Sequence, residues 1–107
     1  MNIRITVRGI ENKGELREQA ERRVGTALNR FAGGIHRVTV LLEDVTGPRK
    51  QVIDKRCRID VRLRRGGEVL IDELGTDMQA TLSLALDRLK AAICRKAGKA
   101  KRGVGAG

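Results

Sequence analysis

Apolar and polar residues alternate through "NIRITVRGI", with Ile3, Ile5 and Val7 on one side and Arg4, Thr6 and Arg8 on the other. This period of two is the mark of a half-buried strand. The period then lengthens: Leu16, Ala20, Val24, Ala27/Leu28 and Phe31 share one helical face in "ENKGELREQAERRVGTALNRFAGG". Asn12 followed by Glu15 predicts a capping box, and Gly33-Gly34 supplies a stop. Alternation returns in "IHRVTVLLE", with Val38, Val40 and Leu42, and again in "DKRCRIDVRLRR", with Cys57, Ile59, Val61 and Leu63. Between those two strands the loop "DVTGPRKQVID" surrounds the only proline, Pro48. Gly66-Gly67 predicts a tight hairpin into a short fourth strand, "VLIDEL". Met78, Leu82, Ala85/Leu86, Leu89 and Ile93 then mark a second helix over "TDMQATLSLALDRLKAAICRKAGK", with Thr76 and Gln79 as its capping box.

The order β-α-β-β-β-α predicts a two-layer α+β architecture, a four-stranded sheet with both helices packed on one face. Residues 1–98 read as a single domain and 99–107 as a basic, Gly-rich flexible tail. A chain of 107 residues with 40% apolar content suits one core, aliphatic because Phe31 is the only aromatic residue. No apolar run reaches the length of a membrane span, and the N-terminus lacks a signal-peptide apolar region, so a cytoplasmic protein is expected.

Candidate chemistry is sparse. Cys57 and Cys94 form no CxxC, and with His36 alone they cannot assemble the usual zinc set. Both read as reduced thiols, Cys57 as a small core hydrophobe, with a Cys57–His36 nucleophile pair as the one alternative. Ser83 is the only serine, and no paired carboxylates stand out. The reading is a non-enzyme with no metal, cofactor or small-molecule substrate.

Charge carries more information. The net charge of +10, from 23 basic and 13 acidic residues, favours a polyanionic partner, nucleic acid before an anionic membrane surface. On a helical projection Arg88, Arg95 and Lys99 fall within about 40° of one another, with Lys90 on the opposite flank. Arg23 and Arg30 share a flank of the first helix, whereas Arg22 lies among Glu15 and Glu18. Arg49 and Lys50 sit on the loop around Pro48. The third strand places Arg56, Arg58, Arg62 and Arg64 on one face, interrupted only by Asp60. That row reads equally as a solvated outer face with edge-protecting charge or as phosphate contact.

Absences exclude several nucleic-acid readers. Base-stacking modules need aromatic platforms, and the chain has neither Tyr nor Trp. No two glycines stand three apart, so no GxxG clamp exists, and "GVGAG" in the tail follows no strand. Binding is expected to run through phosphates and shape.

The element order, with "NIRITVRGI", "ELREQAERRV", "DKRC" and "TDMQATLSLALDRLK", resembles the ribosome hibernation-promoting factor / ribosome-associated inhibitor A family, also called sigma-54 modulation proteins. The resemblance covers Met1 to about Lys99 and includes Asp77, Met78, Asp87, Arg88 and Leu89 of the last helix. It implies a fold related to double-stranded-RNA-binding domains. It also implies binding to the small ribosomal subunit in the tRNA and mRNA channel, silencing idle ribosomes under stress or in stationary phase. By the same resemblance Arg22, Arg23, Arg88 and Arg95 match positions that touch 16S ribosomal RNA phosphates. Gln79 departs from the aromatic residue usual in the family. By the same resemblance the chain is expected to be a short form, without the C-terminal dimerisation domain of long members, and a monomer off the ribosome. The combined set of RNA-binding candidates is Arg22, Arg23, Arg30, Arg49, Lys50, Arg88, Arg95 and Lys99. The competing reading is a stand-alone double-stranded-RNA or DNA binding module.

Overall fold

Strand β1 (Asn2–Arg8) leads into helix α1 (Lys13–Leu28), which tightens into a 3₁₀ segment (Asn29–Gly34) before strand β2 (Ile35–Asp44). Strands β3 (Lys55–Leu63) and β4 (Glu68–Gly75) follow, and helix α2 (Met78–Gly105) ends the fold. The computed structural model describes residues 1–45 and 54–105, with side chains as far as Lys96. The four strands form one mixed sheet in the order β1-β2-β3-β4, with β1 parallel to β2 and the remaining pairs antiparallel.

The register sorts every alternating strand into one core face. Ile5, Val40, Ile59 and Ile71 lie in one cross-strand row, and Val7, Leu42, Cys57 and Glu73 in the next. Ala20, Val24 and Leu28 of α1 and Leu82, Ala85, Leu89 and Ile93 of α2 close over that face, so both helices pack on the same side. Among the described residues no layer covers the other face of the sheet, as the alternating pattern predicts. The architecture is the expected α+β order β-α-β-β-β-α.

The helix caps differ from those expected. Asn12 adopts a left-handed conformation (φ 57°) and makes no side-chain cap hydrogen bond, so the Asn12/Glu15 capping box is absent. A side-chain cap needs extended backbone at that residue. Here the chain turns too sharply, and Leu16 N–H donates instead to the Asn12 carbonyl at 3.1 Å. At α2 the cap is Asp77, not Thr76: Ala80 N–H donates to Asp77 Oδ2 at 2.9 Å. A carboxylate also suits the positive end of the helix dipole, and Gln79 is drawn instead toward α1. Helix α2 continues to Gly105, past the Lys99 at which the apolar stripe predicts its end. Ala100, Lys101 and Arg102 are good helix formers that extend an existing helix at little cost.

Glycines at two places hold the frame, the β3–β4 hairpin and the end of β4. Gly66 (φ 82°) and Gly67 (φ 94°) make the β3–β4 hairpin that a residue with a Cβ would strain. Gly75 ends β4 where α2 presses closest, and a Cβ there would collide with Thr81 Oγ1. Thr81 is buried and its hydroxyl donates to the Asp77 carbonyl at 2.7 Å, so it cannot swing away freely. Gly75→Ala is expected to cost about 1–3 kcal/mol, seen as a lower denaturant midpoint at unchanged m.

Candidate nucleic-acid interface

Helices α1 and α2 lie side by side, and the groove between them is lined by Arg22, Arg23, Thr26, Ser83, Asp87 and Lys90. Arg23 is its fixed point. Its guanidinium donates to the Gln79 carbonyl (3.3 Å), to Gln79 Oε1 (2.7 Å) and to Ser83 Oγ. Gln79 in turn donates to Gln19 Oε1 at 3.0 Å. Every hydrogen-bond acceptor of Arg23 among the described residues is neutral, so the side chain is held in place without an ion-pair partner there. Arg30 is held in the same manner: it stacks on Phe31 at 4.7 Å from the ring centroid and donates to Cys94 Sγ at 3.4 Å. Arg22 is exposed beside the groove and has no ion-pair partner among the described residues. Among the described residues Lys90 is paired with the Asp87 carboxylate alone, 3.7 Å away.

The remaining α2 candidates point elsewhere. Arg88 Nη1 makes a 2.7 Å ion pair with Glu73 Oε1, and Glu73 lies almost buried on the core face of β4. Arg95 lines a shallow depression with Glu68, Val69, Leu70, Ala92 and Lys96, along the β4 edge. Lys96 donates to the Glu68 carbonyl at 2.8 Å and ties the helix to the start of β4. Arg88 lies about 140° around α2 from Ser83. The structure therefore separates the predicted residues into two groups. Arg22, Arg23 and Arg30 flank the groove between the helices, while Arg88 and Arg95 flank the β4 edge. Arg49 and Lys50 lie outside the described residues, and the side chain of Lys99 is likewise outside them.

Arg56, Arg58 and Arg62 of β3 occupy the sheet face opposite the helices, whereas Arg64, expected in the same row, falls in the turn beyond the strand. Arg56 forms a two-pronged bond with Asp72, Nε to Oδ1 at 3.0 Å and Nη2 to Oδ2 at 2.6 Å. That pairing raises the Arg56 pKa and lowers the Asp72 pKa, in both cases chiefly through the hydrogen bond between them. Arg62 reaches Glu68 more loosely, at 3.9 Å. Two of the three arginines within the strand thus serve the β3–β4 pairing.

Two groups escaped the sequence reading. Glu73 followed a strand pattern on a face that should be apolar, so its burial required Arg88, 15 positions away, which no local period reveals. Gln79 and Ser83 stand on the helix flank that also carries Lys90, and only the partner helix makes them a clamp. Signals for that clamp were present in the helical spacing of Gln79, Ser83 and Lys90, four and seven residues apart.

The Cys57–His36 pairing does not form. Cys57 is fully buried opposite Leu42, while exposed His36 lies near the other end of β2, about 20 Å along the strand. Burial above all pushes the Cys57 thiol up to about 12 from its ordinary 9.0. The folded thiol stays protonated where the unfolded one ionises. Its contribution to stability is therefore complete below pH 9 and drains away as pH rises toward 12. Relative to Cys57→Ala, the native chain should lose about 1.4 kcal/mol between neutral pH and pH 10, measured by denaturant unfolding at each pH. Among the described residues no cluster of His, Cys, Asp and Glu could hold a metal ion. No described helix is long and apolar enough to cross a membrane.

Comparison with known proteins places this geometry. The family described as sigma 54 modulation protein / S30EA ribosomal protein matches residues 3–101. A search of curated protein sequences finds no match. Among solved structures, a ribosomal subunit interface protein from Coxiella burnetii superposes with a TM-score of 0.70 at 20% identity, covering 92% of this chain and 99% of that one. The N-terminal domain of Thermus thermophilus Protein Y superposes with a TM-score of 0.69 at 27% identity, covering 89% of this chain and 98% of that one. The match spans every element from β1 through α2, including both flanks of the second helix, and the chain belongs to the sigma 54 modulation protein / S30EA ribosomal protein family.

Proposed function

We infer that this chain binds the small ribosomal subunit through ribosomal RNA phosphates, in the channel used by tRNA and mRNA, and so silences idle ribosomes. The observation that carries this reading is the family match over residues 3–101, with a neighbour of the same fold that is itself a ribosomal subunit interface protein. The physical chemistry agrees with it. Arg22, Arg23 and Arg30 have no ion-pair partner among the described residues, and two of them are held by neutral partners before any ligand arrives. Such pre-organisation lowers the ordering cost of each phosphate contact. With no Tyr or Trp to stack on bases, recognition rests on backbone charge and shape. Inhibition then needs only occupancy: a folded domain held in the channel excludes the substrates of translation and performs no chemistry. The reading also carries the cellular setting, a cytoplasmic protein that is monomeric when off the ribosome and engages it under stress or in stationary phase.

Competition tests this directly. Labelled protein offered intact small subunits and an equal mass of plain RNA duplex should partition to the subunits. Equal partition would leave a general double-stranded nucleic-acid binder.

A further inference from the structure

We propose that the open sheet face is a second phosphate-binding surface, so that the chain contacts RNA on both sides of its two-layer fold. The register puts four rows of outward side chains across this face. The first holds Asn2, Arg37, Arg62 and Glu68; the second Arg4, Thr39, Asp60 and Leu70. The third holds Thr6, Leu41, Arg58 and Asp72; the fourth Arg8, Glu43, Arg56 and Leu74.

Each row contains one exposed arginine with no hydrogen bond or ion pair among the described residues: Arg37, Arg4, Arg58 and Arg8 in turn. Rows follow one another every 6.5–7 Å or so, because same-face residues on a strand are two apart. The result is a ladder of cations about 20 Å long, zigzagging over β1, β2 and β3. A phosphodiester backbone laid along the strands, with one charge per nucleotide, matches such a ladder. Arg56 and Arg62 are excluded from it because Asp72 and Glu68 already hold them.

Edge protection does not account for this arrangement. β2 and β3 are interior strands, so Arg37 and Arg58 guard no open edge. Local carboxylates offset the ladder only in part: Asp72, in register with Arg58, acts on it electrostatically but is bonded to Arg56. Glu43 stands between Arg8 and Arg56 and adds to the field on Arg56. Asp60 is half-buried, with Oδ1 shut off from water and without a partner. Its single methylene keeps that carboxylate near the backbone, while three-methylene stems lift the guanidiniums above it. The outermost layer over β1 to β3 is thus cationic, and guanidinium is the group best matched to phosphate.

The proposal extends the functional reading above in taking RNA as the ligand, and its test keeps the two separable. The variant is Arg4→Gln, Arg8→Gln, Arg37→Gln and Arg58→Gln combined, with Arg56→Gln as a paired-arginine control. Affinity is measured against salt with two probes, purified small subunits and a plain RNA duplex, after circular dichroism verifies the fold. Removing four phosphate contacts should lower the slope of log affinity on log salt by about three. The variant would then lose roughly 60-fold less affinity than the native chain between about 50 and 200 mM salt. The control slope should stay unchanged. A smaller slope on the duplex, with no binding of subunits by either protein, would sustain the second surface and remove the ribosomal reading. An unchanged slope on both probes overturns the proposal, and leaves the face to solvent or to an acidic protein partner.

Discussion

Arg88→Glu is expected to destabilise the fold by about 3 kcal/mol, a large fraction of the stability of a domain this size. The reason lies in its partner. Glu73 occupies the core face of β4 in the same row as Leu42 and Cys57, and its side chain is only 11% exposed. Arg88 supplies the 2.7 Å bond that makes a carboxylate tolerable there. Reversing its charge leaves two carboxylates facing each other, one with little access to water. Arg88 itself is 62% exposed, so the cost falls at the low end of the range for breaking buried pairs. Thermal or denaturant unfolding of Arg88→Glu checks this, and Glu73→Gln combined with Arg88→Gln should recover most of the loss. If Arg88→Glu unfolds at the native midpoint, the ion pair contributes nothing and Glu73 is accommodated by other means. The result also governs how binding variants are read: lost affinity in Arg88→Glu would follow from lost structure.

The second large effect belongs to Arg22→Glu combined with Arg95→Glu. Neither side chain holds the fold together, since neither has a hydrogen bond or ion pair among the described residues. The unfolding midpoint should therefore move little. Affinity for small subunits should fall roughly 100-fold at moderate salt, with a shallower salt dependence, because two phosphate contacts become repulsions. Unchanged affinity would take both residues out of the interface. Arg23 is a poorer probe, because its removal also unties Ser83 from α1 and leaves Gln79 held there by Gln19 alone.

The fold was legible because one rule, alternating or helical apolar spacing, held through nearly every element. Ile3, Ile5 and Val7, then Val38, Val40 and Leu42, then Cys57, Ile59 and Val61 all face the core as their pattern requires. The fourth strand is the exception: Leu70 and Leu74 are exposed while Glu73 turns inward. An ion pair with a helix distant in sequence overrides apolar patterning there. The caps were misplaced for a local reason, since Asn12 and Thr76 have suitable side chains but the wrong backbone or position.

The site was less legible than the fold. Helical projection grouped Arg23 with Arg30, even though Arg30 falls in the 3₁₀ segment that follows α1, and Arg88 with Arg95 within α2. It could not show that the first pair faces α2 while the second faces the β4 edge, because that depends on how the helices are set on the sheet. Likewise, four arginines of one strand were visible as a row, but only the register with β4 separates Arg56 and Arg62, which are paired, from Arg58, which is not.

Sedimentation of the purified protein with ribosomes and separated subunits, through sucrose gradients at low and moderate salt, tests the central claim most directly. Co-migration with small subunits and whole ribosomes, but not with large subunits alone, is the predicted result. Absence from both of those peaks, with plain duplex RNA still bound, would contradict it.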